Sequence, residues 1–424
     1  MPSRPANYLY RVGNNSQSRL DEIIALQRGM VRNHVHLVAS ASYPFPSVLR
    51  AMAEPSLMLP TEGLPGSRYL PGAEVMDIVE TEGEHLALQL FGRTSGYRAS
   101  LQPHSCTQAN QIVFNTILSE EDCVLSLKAK DGGHISHSVL LSNRNRVHHF
   151  GLTEDGRIDY DQMEQLAIQH QPKLIIVGGS ALPRETDFER CGQIARQCGA
   201  RLHGDLSHVA TFIAGKLHKD AFPHVDFASF NTMKNLRGPN AGVLIYREDV
   251  HDKVARATFP TTQGGANEAN MLAKFAALLE WSTHDISAYA QSITRVSQTL
   301  AATLQSEGIE LISGGTDSHL ILLDLSKFEE PGSYYERCFE DLGVLLNKNL
   351  IPGDQRPPSK TSGLRIGATN LAILGYDDTD IKRLGGWLAS LIRSGKNDQS
   401  LIQELVQKYL PADDLSDLVA PMRR

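Results

Sequence analysis

Apolar residues recur along this chain in two periods, and the alternation between them sets the first expectation for its fold. Between residues 18 and 30, Leu20, Ile23, Ile24 and Met30 fall near one face of a helix. Val75, Ile78, Val79, Leu86 and Leu88 predict another over 73–92. Between them, Pro44 and Pro46 mark a turn before a further short helix. The runs 123–127 and 173–180 have the length of buried strands, the second ending in small residues. Residues 188–199 read as an amphipathic helix, and 200–210 as a strand ending in Asp205 and His208. Strand and helix in alternation predict an α/β fold, a parallel sheet with helices on both faces. In such sheets the strand C-termini line the ligand crevice. Ser180, Asp205 and His208 are all at such ends.

The stretch 226–246, DFASFNTMKNLRGPNAGVLIY, reads as strand, polar loop, strand, with Lys234 in the loop. By itself it fits a surface lysine in a hairpin as well as an imine-forming lysine. Residues 258–270 are expected to form a glycine-containing loop. A long helical tract follows, bent near His284–Asp285 and crossing into a second lobe. Residues 310–325 have strand or hairpin character, 345–373 read as loop and then a strand bearing Arg365, and the end of the chain is mainly helical. The expected division is an N-terminal arm and helix over 1–45, a large domain over 46–285 and a smaller one over 286–424.

Composition narrows the class. A length of 424 residues implies more than one lobe. A net charge of −7 gives no basic footprint, so neither nucleic acid nor a membrane surface is expected as partner. The five cysteines are odd in number and include no C-x-x-C pair. A reducing, cytoplasmic setting follows from that and from the lack of an apolar leader or span.

Several stretches carry candidate chemistry. The loop 60–72, PTEGLPGSRYLPG, has three prolines and three glycines, which keep it out of regular structure. Its Glu62, Arg68 and Tyr69 are the side chains of interest. Ser105, Cys106 and Thr107 stand where a helix begins, a position suited either to an anion or to plain capping. His134 and His137 form an H-x-x-H pair, half a metal site with no third ligand placed near it, so a structural or stacking role is expected and no metal is assigned. A carboxylate ending a parallel strand, a loop lysine about thirty residues later, a hydroxyl-bearing helix start, an imidazole and a late arginine are the parts that pyridoxal phosphate (PLP) chemistry needs.

At these residues the chain resembles the serine hydroxymethyltransferase family, fold-type-I PLP enzymes. LQPHSCTQAN is similar to QPHSGSQAN, DGGHISH to D/H-GGHLTH, GDLSHVATFIAGKLH to VDMAHVAGLVAAGLH, and NTMKNLRGPNAG to TTHKTLRGPRGG. QGG at 263–265, SGGTDSHL at 313–320, NKN at 347–349 and TSGLRIG at 361–367 match as well, and the likeness runs from about residue 18 to about 395. The resemblance implies a large domain with a mostly parallel seven-stranded sheet flanked by helices, plus a smaller α+β C-terminal domain. It implies that Lys234 forms the Schiff base, Asp205 pairs with the pyridine nitrogen, and His134 stacks on the ring. His208 and Ser180 would lie near O3′. Ser105, Cys106 and Thr107 would hold the phosphate, with Gly264 and Gly265 of a neighbouring subunit. Arg365 would bind the substrate carboxylate, with Ser40 and Tyr69 in the substrate site. Glu62 would be the acid/base carboxylate, entering from the partner of a homodimer or dimer of dimers.

The departures matter too. Pro60 and Leu70 stand where the family has tyrosines, Met233 where it has histidine, Ala41 where it has glutamate, Cys106 where it has glycine, and Asn240 where it has arginine. Lost phenols and imidazole predict a more apolar substrate pocket. Cleavage or formation of the Cα–Cβ bond of serine or a related β-hydroxy amino acid is the implied reaction, with tetrahydrofolate as a possible second cofactor. A folate-independent threonine aldolase or transaldolase, an α-methylserine-type enzyme, an aminotransferase or decarboxylase, and a non-catalytic scaffold are the alternatives.

Overall fold

The computed structural model describes residues 16–54, 59–93, 95–395 and 399–409. Residues 1–15 of the expected N-terminal arm and helix, and the last residues of the chain, therefore lie outside it. Seven strands form the main sheet: β1 (Tyr97–Ser100), β2 (Cys123–Leu127), β3 (Arg146–Phe150), β4 (Leu174–Val177), β5 (Arg201–Asp205), β6 (Phe227–Asn231) and β7 (Gly242–Arg247). Their order is β1-β7-β6-β5-β4-β2-β3. The run from β6 to β3 is parallel throughout, and β7 is antiparallel to both β6 and β1. This is the α/β fold expected, with one reversed strand in a mostly parallel sheet.

Period-two burial explains why the sheet is covered on both sides. On β4, Leu174 and Ile176 face one apolar cluster and Ile175 and Val177 face another. Leu244 and Tyr246 divide from Val243 and Ile245 in the same way on β7. One face is roofed by the helix Cys106–Ile117, through Ala109, Ile112 and Val113. The other is roofed by Tyr160–His170, Phe188–Cys198 and Glu268–Thr283. Asp187 caps the second of these by accepting from Arg190 N, and Gly199 ends it at φ 71°. Each fully buried leucine or isoleucine contributes about 1.5–3 kcal/mol of burial.

A second, four-stranded antiparallel sheet has the order Glu310–Leu311, Leu320–Asp324, Gly363–Gly367, Asn347–Asn349. It packs on the helices Ile286–Ser306 and Asp378–Ser394 through Leu300, Ile321, Leu364 and Leu388. The helical tract is interrupted at His284–Asp285, where Asp285 caps the new helix. No helix among the described residues is long and apolar enough to cross a membrane.

Four local expectations need correction. The loop 60–72 contains a small hairpin, Gly63–Leu64 against Ser67–Arg68. Gly63 at φ 92° and Gly66 at φ 73° permit a reversal that other residues resist. Asn347–Asn349 is a strand of the second sheet, not loop, because its backbone finds the open edge of Gly363–Gly367. Residues Ala257–Thr262 wind as a wide helical turn, broken by extended geometry at Phe259. Strand β5 stops at Asp205 rather than running to 210, since the Asp205 carboxylate turns back to accept from Ser207 N at 3.1 Å.

Candidate active site

The C-terminal ends of β4, β5 and β6 deliver Ser180, Asp205 and Lys234 to one region, and the start of the helix Cys106–Ile117 faces them. Ser105 is that helix's N-cap, its Oγ accepting from Gln108 N at 3.1 Å. The approach is tight: a Cβ at Gly242 would collide with the Ser105 carbonyl. Lys274, fully buried, donates to the carbonyls of Leu101, Pro103 (3.0 Å) and Gly242 (3.1 Å), pinning the segment before the helix start to the beginning of β7. A helix terminus of this kind leaves N–H groups without intrahelical partners, with the hydroxyl of Thr107 nearby in sequence, an arrangement that suits an anion.

Asp205 is the electrostatic centre. It is only 7% exposed, yet four donors converge on its two oxygens. His137 Nε2 lies 3.0 Å from Oδ2 and Asn110 Nδ2 donates to the same atom at 3.2 Å. Ser207 N donates to Oδ1 at 3.1 Å, and Cys106 Sγ reaches it at 3.8 Å. Burial pushes the carboxyl up, but the His137 bond and charge, the Lys234 charge and the Ser207 bond together hold it well below the usual carboxylate range. Cys106 points inward, 3.1 Å from Ser207 Oγ, and burial with the Asp205 charge pushes its thiol up to about 12. Its side chain is therefore an inert neighbour of Asp205.

The H-x-x-H pair also needs correction. A third group does stand beside it, for ligand atoms of His134, His137 and Asp205 lie within 4.8 Å of one another. Asp205 is 68 residues from His137 and reaches it only through the fold. His137 binds Asp205, and His134 Nδ1 accepts from Ser136 N at 3.2 Å. The latter bond leaves the His134 ring proton on Nε2 in the neutral form, and burial lowers its pKa.

Lys234 follows β6, and its pocket decides between the two readings of the loop. Its side chain is partly buried, and burial lowers its pKa against the opposing pull of Asp205. No described residue hydrogen-bonds to it or pairs with it. Lys274 is the informative contrast. Burial lowers that amine to about 7, but its three carbonyl partners consume its hydrogens. Of these two amines, Lys234 is the one open to chemistry.

Arg365 enters from the second sheet. Its Nη1 donates to Ser180 O at 2.6 Å and its Nε to Asn347 Oδ1 at 3.1 Å. Burial lowers it to about 10, and no carboxylate among the described residues pairs with it. A largely buried guanidinium with only neutral partners is suited to receive an anion. Ser40 lies in the segment 39–43 that lines this junction. There Ser42 Oγ donates to Met233 O at 2.6 Å, and Ala39 O accepts from His319 Nε2 at 3.0 Å. His208 meets that same His319 edge to edge, ring centroids 5.3 Å apart and Nδ1 3.2 Å from its Nε2.

Glu62, Tyr69, Gly264 and Gly265 form a separate group. A Cβ at Gly264 would lie 3.9 Å from Glu62 Oε1, and one at Gly265 3.8 Å from Glu62 Cγ. Thr61 anchors this loop through Glu268 Oε1, accepting its N–H at 2.7 Å. Tyr69 rests on Phe259 at 5.1 Å between centroids and is 72% exposed. No described contact joins Glu62 or Tyr69 to Lys234 or Asp205. Arg68 is structural: it pairs with Asp77 at 2.7 Å and with Glu80.

Sequence reasoning missed Asn110, Ser207, Lys274 and His319. Lys274 leaves a trace, a lysine inside the apolar tract MLAKFAALLEW. His319 sits in a matched motif but carries no signal of its contacts.

A family model for serine hydroxymethyltransferase matches residues 14–388 of this chain. The chain is 36% identical over 385 residues to a serine hydroxymethyltransferase of Rhodopirellula baltica, covering 88% of this chain and 91% of the relative. It is 37% identical over 396 residues to one of Acidobacterium capsulatum, covering 92% of each.

Proposed function

This chain belongs to the serine hydroxymethyltransferase family, and we propose that it holds PLP at Lys234 and cleaves or forms the Cα–Cβ bond of serine or a related β-hydroxy amino acid. One observation carries the reading: Lys234 is an amine without hydrogen bond or ion pair among the described residues, set between the ionised Asp205 and the unpaired Arg365. The pocket fits the cofactor in three respects. The helix start at Ser105 offers N–H groups to a phosphate. Asp205 remains an anion in a buried site, as a partner for a protonated ring nitrogen must. A Cβ at Gly178 would strike the Asp205 carbonyl, so the strand ends meet here through bare backbone. When bound, PLP supplies an electron sink for charge left at Cα.

The chain's own residues do the rest. Burial favours the neutral, nucleophilic form of Lys234. Asp205 holds a proton on the ring nitrogen. Arg365 takes the substrate carboxylate in a forked bond and fixes which bond at Cα is presented. Glu62 accepts or returns the β-hydroxyl proton.

We place Glu62, with Gly264 and Gly265, in the active site of a partner copy in a homodimer. The cluster they form with exposed Tyr69, Leu59 and Leu70, without a described contact to Lys234, supports this. Mixing Lys234→Ala with Glu62→Gln protein, each nearly inactive alone, is then expected to restore about a quarter of wild-type activity, since half the random dimers hold one intact site of two. Activity no higher than that of the separate variants would place Glu62 in its own subunit's site. We also place the protein in the cytoplasm, in keeping with its five free cysteines.

Substrate choice is tested by incubating the PLP-loaded protein with serine, threonine or α-methylserine, with and without tetrahydrofolate. Glycine from serine only with folate is the expected result. Pro60, Leu70 and Met233 favour a second reading, in which glycine forms equally well without folate, above all from threonine. No glycine from serine or threonine and no alanine from α-methylserine would overturn both.

A further inference from the structure

His319 precedes the strand Leu320–Asp324 and is fully buried, far in sequence from every predicted site residue. It nevertheless touches segments that carry three of them. Its ring lies between Ala39, next to Ser40, and Asn235, next to Lys234, and it meets His208 edge to edge with planes 8° apart. On its other side it stacks on Phe212, centroids 5.9 Å apart.

Two backbone carbonyls settle where the protons are, because a carbonyl only accepts. Ala39 O is 3.0 Å from His319 Nε2, so that nitrogen carries the proton. His208 O is 3.0 Å from Asn235 Nδ2, which fixes the amide's orientation. The second amide hydrogen then goes to His319 Nδ1 at 3.2 Å, while Asn235 Oδ1 accepts from Thr369 Oγ1 at 2.7 Å. His319 is a neutral imidazole with its proton on Nε2. That same Nε2 lies 3.2 Å from His208 Nδ1, which must therefore be the bare nitrogen. The ring proton of His208 is left on its Nε2. Burial pushes both rings down, His319 to about 3, and the nearby charge of Lys234 adds to this in each.

We propose that Asn235 and His319 are positioning residues that set the tautomer of His208, so that His208 offers an N–H donor, never an acceptor, to the oxygen it faces in the loaded site. What His208 faces rests on the function proposed above; the direction of the relay does not. The motif that NTMKNLRGPNAG resembles carries threonine at the position of Asn235. Threonine has one hydroxyl hydrogen and could not serve His208 O and His319 Nδ1 together.

The test is nitrogen-15 NMR of histidine-labelled holoenzyme, with signals assigned by single substitutions. The expected result is Nε2–H and bare Nδ1 for both His319 and His208 at neutral pH. In Asn235→Asp, which has no amide hydrogen to give, His319 is expected to gain a proton on Nδ1. A proton on Nδ1 of His208 in the wild type, or unchanged His319 signals in Asn235→Asp, would overturn the proposal. Kinetics separate the relay from packing. His319→Gln keeps a donor toward Ala39 O and His208, whereas His319→Phe keeps only a ring of similar bulk. Turnover is expected within about threefold of wild type for the glutamine and about tenfold lower for the phenylalanine, with KM little changed. Equal losses in both would reduce His319 to packing. If the phenylalanine variant does not fold, the Asn235→Asp spectrum decides alone. A protein that binds no PLP would sink the proposed function and leave the tautomer result standing.

Discussion

Replacing Lys234 by alanine is expected to abolish the visible absorbance that the wild-type protein gains with PLP, and to lower turnover about 1,000-fold or more. The size of the effect follows from the pocket. A lysine in a hairpin loop costs nothing to remove if it is solvated, but Lys234 is partly buried and its pKa is lowered. Its side chain makes no described bond that the fold needs, so the variant should melt close to the wild type. Loss of colour and turnover with little change in Tm would therefore mark a chemical role. A wild-type protein that stays colourless with PLP, or an alanine variant that keeps its absorbance, would contradict this.

The second large effect is expected at Asp205. Asparagine there keeps the volume and removes the charge. Turnover should fall about 100- to 1,000-fold, the scale on which one preorganised electrostatic partner acts in a dry site. The variant should also be less stable, by about 1–3 kcal/mol, because the amide NH2 would face donors from His137, Asn110 or Ser207. The sign of the pH dependence follows. Asp205 has a folded-state pKa below its unfolded value, so its stabilisation is complete above about pH 5 and fades as pH falls through the carboxylate range and below. The gap between wild type and Asp205→Asn should thus be widest near neutrality and close in acid. Turnover within tenfold of wild type, measured in a single cycle, would remove Asp205 from the chemistry.

Much of this was legible in the sequence because it is local. The strands at 123–127 and 173–180, the helix start at Ser105, the turn holding Lys234 and the break at His284–Asp285 all follow from neighbours within a few residues. Asp205 and Lys234 were readable as a pair because parallel strands place consecutive C-termini side by side. What escaped depends on contacts that no spacing encodes. Asp205 as partner of His137, Lys274 beneath the turn that opens the helix Cys106–Ile117, and His319 between Ala39 and Asn235 are joined across 68, more than 170 and 280 residues. The strand Asn347–Asn349 was missed for a related reason: its polar residues lack alternation, and only the edge of Gly363–Gly367 makes them a strand. Glu62 is a different case. The role proposed for it needs a second copy of the chain, which neither local pattern nor one subunit's geometry supplies.

The measurement that bears most directly on the central claim is borohydride reduction of the PLP-loaded protein followed by peptide mapping. A single pyridoxyl group on Lys234 is the expected result. A label on another lysine, with Lys274 the instructive case because burial lowers it to about 7, or no label at all, would contradict the account.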